Sequence, residues 1–315
     1  MKGDLSPFKR AIARDKSEFA HREDNIMHLS EGCVACMLGK KLNNTPAGAA
    51  PEAVEAYRRR ARAAIVNGRA YSSPEVTAEV SAIYRDIFGP ERDYTEIKRR
   101  FNALMLDLEP AIQADVDAAP NPLARAVQYA MVGNYIDFAA LGDVDEDELR
   151  RRLEAADAMV VEPAVLESLR GEALSAKRLV LFTDNCGEIV TDKVLLRTLR
   201  RLNPNLHISV IVRGAPVVND ATVMDAAQVG MGEVAQRVIG SGCDLPGAVL
   251  TRISAEALSE VEAADVIISK GQANYEGLSG CGRNIFYIFM CKCELFIKRF
   301  GVEKFSGVLT KETII

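Results

Sequence analysis

The sequence has little of what several common classes of protein depend on. It contains only three histidines (His21, His28 and His207), which argues against a hydrolase whose chemistry is built on histidine. No P-loop pattern occurs in it, so that class of nucleotide-binding enzyme is not indicated. Its formal net charge of −5 gives no general electrostatic reason to bind nucleic acid or an anionic membrane.

Long apolar runs are also missing. The longest run, residues 285–291, is followed at once by Lys292 and Glu294, so it is too short to span a membrane. The first 24 residues are too charged for a secretory signal, and their acidic residues argue against an organelle transit peptide. Seven cysteines cannot all pair in disulfides, which fits a reducing compartment better. With 48% hydrophobic and 26% charged residues, we expect a soluble cytoplasmic protein that binds neither nucleic acid nor membranes.

The hydrophobic pattern is helical up to about residue 172. Residues 73–75 (Ser-Pro-Glu) predict a helix start with the serine at residue 73 as the cap, and residues 89–90 (Gly-Pro) predict its end. A second helical pattern runs over residues 94–110, up to a proline. The basic residues within 57–65 are interpreted as the solvated face of another helix.

The pattern changes from Lys177 onward. Short apolar runs rich in Val, Ile and Phe alternate there with helical patterns, which predicts an α/β fold: a mainly parallel sheet with helices on both faces. The runs are residues 178–184, 207–213, 264–270 and 284–292. We therefore expect a helical domain over residues 1–172, in which residues 1–32 are a candidate extension, and an α/β domain over residues 173–315.

Polar side chains follow each of the first three runs. They are Asp184, Asn185 and Glu188 after the first, Asn219 and Asp220 after the second, and Lys270 and Asn274 after the third. Ligands of open α/β sheets bind outside the carboxyl ends of the strands, so these side chains are expected to face one site. Carboxylate and amide oxygens suit Mg²⁺ or Mn²⁺, and a lysine supplies a charge for phosphate oxygens. Together they indicate a site for phosphoryl chemistry.

Each of these residues also has a purely structural explanation. Asp184 could be the cap of the next helix, Asn219 or Asp220 could cap the one after it, and Lys270 could lie on the surface. For any one acidic residue taken alone, capping is the better explanation. Their joint occurrence at three successive strand ends shifts the balance towards a site, and spacing alone leaves the two explanations about even.

These same stretches resemble the signature blocks of the damage-control phosphatase family, formerly domain-of-unknown-function family 89. The blocks are CVACMLGKKL, AMVGNYIDFAAL, TDNCGEIVTDKVLL, VRGAPVVNDAT and DVIISKGQANYEGL, and they follow the family's order from residue 33 to about 293. The first of them resembles the cysteine pair of prokaryotic-type members. The resemblance implies a metal-dependent phosphatase acting on small phosphorylated metabolites, with a Rossmann-like doubly wound domain beside a helical one.

The resemblance also implies roles for particular residues. Asp184, Asn185 and Asp220 match the metal ligands, Lys270 matches the phosphate-contacting lysine, and Asn134, Asp137, Glu188 and Asn274 lie in the blocks that face the substrate. The cation would be Mg²⁺, Mn²⁺, Co²⁺ or Ni²⁺, which the sequence does not distinguish. Lys270 is expected to stabilise the phosphoryl oxygens during in-line displacement. Whether a metal-bound water attacks, and whether Asp184 or Asp220 assists as base, stays open.

Two stretches depart from the family pattern. Residues 1–32 form a longer lead than expected, and residues 294–300 lack an expected proline. Both departures bear on the oligomeric state and on the substrate, which the sequence leaves open, rather than on the metal ligands.

The cysteines allow further hypotheses. Cys33 and Cys36 have the spacing of zinc knuckles and redox pairs, but Cys291 and Cys293 are one residue too close to form a matching second pair. The structural explanation of the first pair is a helix start and core packing. Cys186 would make the enzyme sensitive to oxidation if a helix N-terminus favours its thiolate.

Two other functions remain as alternatives. Residues 230–235 fit the loose dinucleotide pattern G-x-G-x-x-A, which would suit a nucleotide-binding oxidoreductase. The pattern follows a helical stretch rather than a strand, so we interpret it as a loop between helices. The second alternative is a non-catalytic protein that binds a metal or a metabolite on the same fold.

Overall fold

The protein is described by a computed structural model that covers residues 27–312. Most of the candidate extension at residues 1–32 therefore lies outside the described residues. The first half of the described chain contains α1 (Glu31–Lys41), α2 (Pro51–Asn67), α3 (Ser73–Phe88), α4 (Thr95–Ala118), α5 (Pro122–Gly133), α6 (Phe138–Leu141), α7 (Glu146–Glu154) and α8 (Pro163–Ser175). Short 3₁₀ turns lie at Gly68–Ala70 and Ala156–Ala158.

The second half alternates strands and helices. Its elements are β1 (Arg178–Phe182), α9 (Glu188–Leu202), β2 (His207–Val212), α10 (Val223–Gln228), β3 (Arg237–Gly240), α11 (Ala255–Ala263), β4 (Val266–Lys270), α12 (Gln272–Leu278), β5 (Ile285–Met290), α13 (Glu294–Phe300) and β6 (Gly307–Lys311). Each of the four predicted apolar runs contains one strand. Among residues 27–312, every element before Arg178 is helical, as predicted. The predicted domain boundary falls within α8, and the division into two domains stays a prediction.

The six strands form one sheet in the order β3-β2-β1-β4-β5-β6. The first five strands are parallel and β6 runs antiparallel to β5, which confirms the α/β class and the mainly parallel sheet. Leu179 of β1 lies opposite Ile208 of β2 and Val266 of β4. From β1 the chain adds β2 and β3 on one side of the sheet, and then β4, β5 and β6 on the other side. A crevice is therefore expected where this direction reverses, outside the carboxyl ends of β1 and β4.

Side chains alternate between the two faces of the sheet. Leu179 and Leu181 join a core formed with α4, α5, α8 and α9, while Val180 and Phe182 join a second core formed with α11, α12 and α13. The sheet is thus covered by helices on both faces. A third cluster, around Tyr57, holds α1, α2 and α3 together, and α3 in turn contacts α12.

Two predicted helix boundaries were wrong. The cap of α3 is Ser72, one residue before the predicted serine, because its side chain and that of Glu75 form a capping box. The pattern at residues 94–110 does not end at Pro110; α4 continues to Ala118. The proline removes one backbone hydrogen bond, but the next turns bury Ile112 and Val116 against the core.

The structure also bears on the basic residues of α2 and on the length of the apolar helices. The arginines of residues 58–60 are exposed on α2, which confirms the solvated face. No helix within residues 27–312 is long and apolar enough to cross a bilayer.

Candidate active site

Two buried carboxylates meet at the carboxyl edge of the sheet. Asp184 follows β1 and is 7% exposed, and Asp220 lies in the loop after β2 and is 5% exposed. Both contact the guanidinium of Arg213, at 3.3 Å from Nη2 to Asp184 Oδ1 and 2.5 Å from Nε to Asp220 Oδ2. The backbones also meet, since the N–H of Ala221 donates to the carbonyl of Asp184 and Asn185 forms an antiparallel bridge with Asp220.

Two asparagine amides bridge Asp184 to a third carboxylate. Asn185 Nδ2 donates to Asp184 Oδ2 at 2.9 Å and to Glu188 Oε2 at 2.8 Å. Asn134, at the end of α5, donates to the same two oxygens at 3.0 and 2.9 Å, and its Oδ1 accepts from the N–H of Met290. Because both amide hydrogens of Asn185 are used, its Oδ1 is the side-chain atom left to bind a cation.

The capping explanation fails for these residues. The N-cap of α9 is Gly187 and that of α10 is Thr222. None of Asp184, Asn219 or Asp220 has that role. Instead, Asp184 and Asp220 share the guanidinium of Arg213, and Asn219 is hydrogen-bonded to the backbone of Ile136 and Phe138.

Lys270 lies at the end of β4, but it is fully buried rather than on the surface. Its Nζ donates to the carbonyl of Ala130 at 2.8 Å, to Glu188 Oε1 at 2.6 Å and to Asp192 Oδ1 at 2.8 Å. Burial alone would lower the pKa of Lys270, but the two carboxylates raise it above its ordinary value. All three N–H groups have an acceptor in this structure, and the phosphate contact implied by the resemblance stays a prediction.

The side-chain amide of Asn274 is also fully hydrogen-bonded within the protein. Its Oδ1 accepts from Arg213 Nη1 at 3.0 Å and from the N–H of Ala248 at 2.8 Å. Its Nδ2 donates to the carbonyls of Thr183 and Lys270 at 2.9 and 2.6 Å. Asn274 therefore ties three loops together behind the carboxylates, and no polar group of its side chain is left for a substrate.

Asp137 forms an ion pair at the edge of the site. It caps α6 by accepting from the N–H of Ala140 at 2.8 Å, and its Oδ2 lies 2.6 Å from the Nζ of Lys292, which follows β5. Asp137 is half-buried and Lys292 is almost fully buried. The sequence reasoning did not select Lys292, although it follows the fourth apolar run just as the other site residues follow theirs.

The site carries an excess of negative charge. Burial raises the pKa of Asp184 well above its ordinary range, and the neighbouring charges of Glu188 and Asp220 raise it further. Burial likewise raises the pKa of Asp220 to about 6, against the opposing effect of Arg213. If all are ionised, four buried carboxylates face two buried cations, a net charge of −2; the carboxylates are Asp184, Glu188, Asp192 and Asp220, and the cations are Arg213 and Lys270.

This donor set fits a hard divalent cation. Two carboxylates and one amide oxygen are the ligand types that such ions prefer, and a charge of +2 would balance the site. Within residues 27–312 no group of three His, Cys, Asp or Glu side chains could hold a metal. The proposed set is of a different kind, because its third ligand is an asparagine.

Two features behind the carboxylates were missed in the sequence. Arg213 ends an apolar strand at the carboxyl edge of the sheet, and that position was the available signal. Gly271, at φ +81°, lies against Asp184: a Cβ there would be 2.0 Å from Asp184 Oδ2. Only glycine lets the carboxylate occupy this place.

The hypotheses on cysteine reactivity are corrected. Cys186 is fully buried, and burial raises the pKa of its thiol to about 12, so the helix N-terminus does not favour a thiolate. All seven cysteines are free thiols. Cys33 lies in the first turn of α1, where its N–H donates to Ser30 Oγ, which fits the structural explanation.

The loose dinucleotide pattern is a turn, as interpreted from the sequence. It follows α10 and contains a 3₁₀ turn at Met231–Glu233. The element after it is strand β3, however, and not the helix that was expected.

The known proteins that this chain resembles belong to one family. The model of the damage-control phosphatase ARMT1-like domain matches residues 29–308. A damage-control phosphatase of Archaeoglobus fulgidus is 31% identical over 239 residues, which cover 74% of this chain and 82% of that protein. A second, from Pyrococcus horikoshii, is 32% identical over 182 residues, covering 57% and 61%. The crystal structure of a duf89 family protein from Pyrococcus horikoshii shares the fold, with a TM-score of 0.75 at 22% identity, over 91% of this chain and 100% of that one.

Proposed function

The chain belongs to the damage-control phosphatase ARMT1-like domain family, and from that membership we propose that it is a metal-dependent phosphatase of small phosphorylated metabolites. One observation carries the metal dependence. Asp184 and Asp220 come from two different loops, meet on one guanidinium at the edge where such sheets bind ligands, and belong to a buried group in which four carboxylates face two cations.

In the proposed site, oxygens of Asp184, Asn185 and Asp220 hold the cation. When bound, a divalent cation neutralises charge on the phosphoryl oxygens and activates a water. Asn134 and Asn185 fix the orientation of the Asp184 carboxylate by donating to its Oδ2. We assign the acceptance of a proton from the attacking water to Asp184 or Asp220.

The chain's own residues also prepare the site before a ligand arrives. Arg213 holds the two carboxylates in place and opposes the rise of their pKa on burial, and Asn274 holds the guanidinium from behind. Gly271 leaves room for the Asp184 carboxylate. Because both carboxylates are almost fully buried, we infer that the substrate is a small phosphate ester rather than a macromolecule.

A phosphatase panel tests the proposal. Wild-type protein, stripped of metal, is assayed with Mg²⁺, Mn²⁺, Co²⁺ or Ni²⁺ on p-nitrophenyl phosphate and on a set of sugar phosphates. Phosphate release is expected only with a cation. Asp184→Ala should reduce it by about 100-fold or more, since several kcal/mol of charge stabilisation is lost.

Asp86→Asn is the matched control. Asp86 is exposed on α3 and pairs with Arg60, so the change removes one surface carboxylate that contacts no residue of the proposed site and should leave turnover unchanged. Full turnover by Asp184→Ala, or turnover without any cation, would contradict the proposal. Cation binding with no turnover on any ester would favour the non-catalytic alternative, and tight binding of a nicotinamide cofactor would favour the oxidoreductase.

A further inference from the structure

The two loops that carry the proposed metal ligands have a common buried partner on helix α4. Asn102 of α4 is fully buried, and its side-chain amide contacts the start of the helix that follows each loop. We infer that Asn102 is a positioning residue, which fixes the loop of residues 184–185 relative to the loop of Asp220. This inference rests on the proposed function, because it concerns the ligands of the same cation.

The first loop leads into α9 through Gly187, which lies two residues after Asn185. The backbone N–H of Gly187 donates to Asn102 Oδ1 at 2.7 Å. Gly187 is the N-cap of α9 with φ +68°, and a Cβ there would lie 3.2 Å from the carbonyl oxygen of Phe101, on α4. Because glycine allows this close approach, α4 lies directly against the turn, and Asn102 holds it there.

The second loop leads into α10 through Thr222, which lies two residues after Asp220. Asp225 Oδ2 accepts from the N–H and the hydroxyl of Thr222 at 2.8 and 2.7 Å, which forms a capping box. The other oxygen, Asp225 Oδ1, accepts from Asn102 Nδ2 at 2.9 Å. Lys98, one turn earlier on α4, places its Nζ 2.6 Å from Asp225 Oδ2. Helix α4 therefore holds the turn after Asp220 through one buried carboxylate.

These contacts add to the bonds that join the two loops directly. The N–H of Cys186 donates to the carbonyl of Asn219, and the N–H of Ala221 donates to the carbonyl of Asp184. The oxygens that bind a cation need to lie within about 0.5 Å of the positions that it requires. A second set of attachments, two residues beyond the ligands on each loop, limits how far either backbone can shift.

The charges of this network also act on the site. Burial raises the pKa of Asp220, and the positive charge of Lys98 is one of the charges that oppose this rise. Lys98 and Asp225 are both buried, so their charges are weakly screened by water. A variant that keeps the total charge of the network constant is therefore needed to isolate the geometric effect of Asn102.

Mn²⁺ binding to the folded protein tests the inference without turnover. Asn102→Leu is neutral and of similar size, but it removes the bonds to Gly187 and Asp225. Its Mn²⁺ affinity, measured by calorimetry well below the Tm found in EDTA, should fall by about ten-fold or more, as when a group that orients metal ligands is lost. If Asn102→Leu does not fold, Asn102→Ala should show the same loss, because its smaller side chain leaves space for a water that satisfies the freed groups.

A charge-conserving pair of substitutions shows whether the bonds themselves matter. In Asn102→Asp with Asp225→Asn, the amide introduced at position 225 donates to the carboxylate at position 102, and its oxygen accepts from the groups that bind Asp225 Oδ2 in the wild type. The carboxylate also keeps an acceptor for Gly187, while the bond to Gln228 Oε1 is lost. The double variant should therefore bind Mn²⁺ within about three-fold of the wild type.

Asn203→Leu is the matched control. Asn203 lies at the opposite end of α9 from Gly187, and its Nδ2 donates to the carbonyls of Ala173 and Ala176 at 2.9 and 2.8 Å. The same substitution there removes hydrogen bonds that stabilise the fold, so it should lower Tm and leave Mn²⁺ affinity unchanged.

The possible results separate the inference from the proposed function. Unchanged Mn²⁺ affinity in Asn102→Leu, an equal loss in Asn203→Leu, or a double variant that binds as weakly as Asn102→Leu would each overturn the role of Asn102. The proposed function would still stand in those cases if the wild type releases phosphate only with a cation. Mn²⁺ binding that depends on Asn102, in a protein that releases no phosphate from any ester, would support Asn102 and reject the phosphatase. A wild type that binds no Mn²⁺ would reject both.

Discussion

Replacing Arg213 by glutamine removes a buried positive charge that touches both Asp184 and Asp220. The guanidinium is almost fully buried and also donates to Asn274 Oδ1 and to the carbonyl of Pro246. Glutamine is shorter and neutral, so the two carboxylates would be left in a buried place without their shared cation.

The expected loss of stability is large. Removing one partner of a buried ion pair costs about 3–5 kcal/mol, because the remaining charge stays uncompensated. With an unfolding entropy of about 2.1 cal/mol/K per residue, a chain of 315 residues loses about 5–8 °C of Tm for that cost. A divalent cation at 100 times its Kd stabilises the folded state by about 2.7 kcal/mol, and it should bind Arg213→Gln more tightly than the wild type because the variant lacks one positive charge beside the two carboxylates.

Thermal melting with EDTA and with MnCl₂ measures both effects. Arg213→Gln should melt about 5–8 °C below the wild type in EDTA, and Mn²⁺ should narrow that gap. Arg60→Gln is the control: Arg60 and Asp86 form an exposed pair, which contributes at most about 1 kcal/mol. Equal melting temperatures of Arg213→Gln and the wild type in EDTA, or a gap that Mn²⁺ leaves unchanged, would refute the reasoning.

Three further predictions follow from single residues. Gly271→Ala should lower phosphate release by about 100-fold while the protein stays folded by circular dichroism, since its Cβ displaces the Asp184 carboxylate; undiminished release would count against it. Burial raises the pKa of Glu276 from 4.5 to about 7, so its contribution to stability is lost as the pH rises through that window. Glu276→Gln should therefore raise the free energy of unfolding at pH 8 by up to about 3 kcal/mol, which a higher Tm would show, and should have no effect at pH 4. An equal rise of Tm at both pH values would exclude burial of the charged carboxylate as the cause. Iodoacetamide at pH 8, followed by peptide mass analysis, should label the exposed Cys36 and spare Cys186, and peroxide should leave activity intact; labelled Cys186 would show that the thiol is accessible.

The features predicted correctly from the sequence depend on local patterns. In the run at residues 178–184, the four consecutive strand residues 179–182 are apolar, because both faces of a parallel sheet are covered. The convergence of Asp184 and Asp220 followed from the rule that the carboxyl ends of parallel strands share one edge. Strand β3 was missed because it has four residues, all of them half-buried, and so lacks a continuous apolar run.

The features that were missed depend on partners far away in the chain. The burial of Lys270 could not be predicted locally, because one of its acceptors is the carbonyl of Ala130, 140 residues earlier. Arg213 after an apolar run looks like a solvated strand end until Asp184, 29 residues earlier, is brought against it. No local pattern distinguishes a buried lysine whose three donors have acceptors, such as Lys270, from a lysine on the surface.

Diffraction from crystals grown with Mn²⁺, recorded at the manganese absorption edge, tests the proposed cation site most directly. We expect one strong anomalous peak about 2 Å from oxygens of Asp184, Asn185 and Asp220. A peak bound elsewhere, for instance beside Cys33 and Cys36, with none between the two aspartates, would contradict the proposed site.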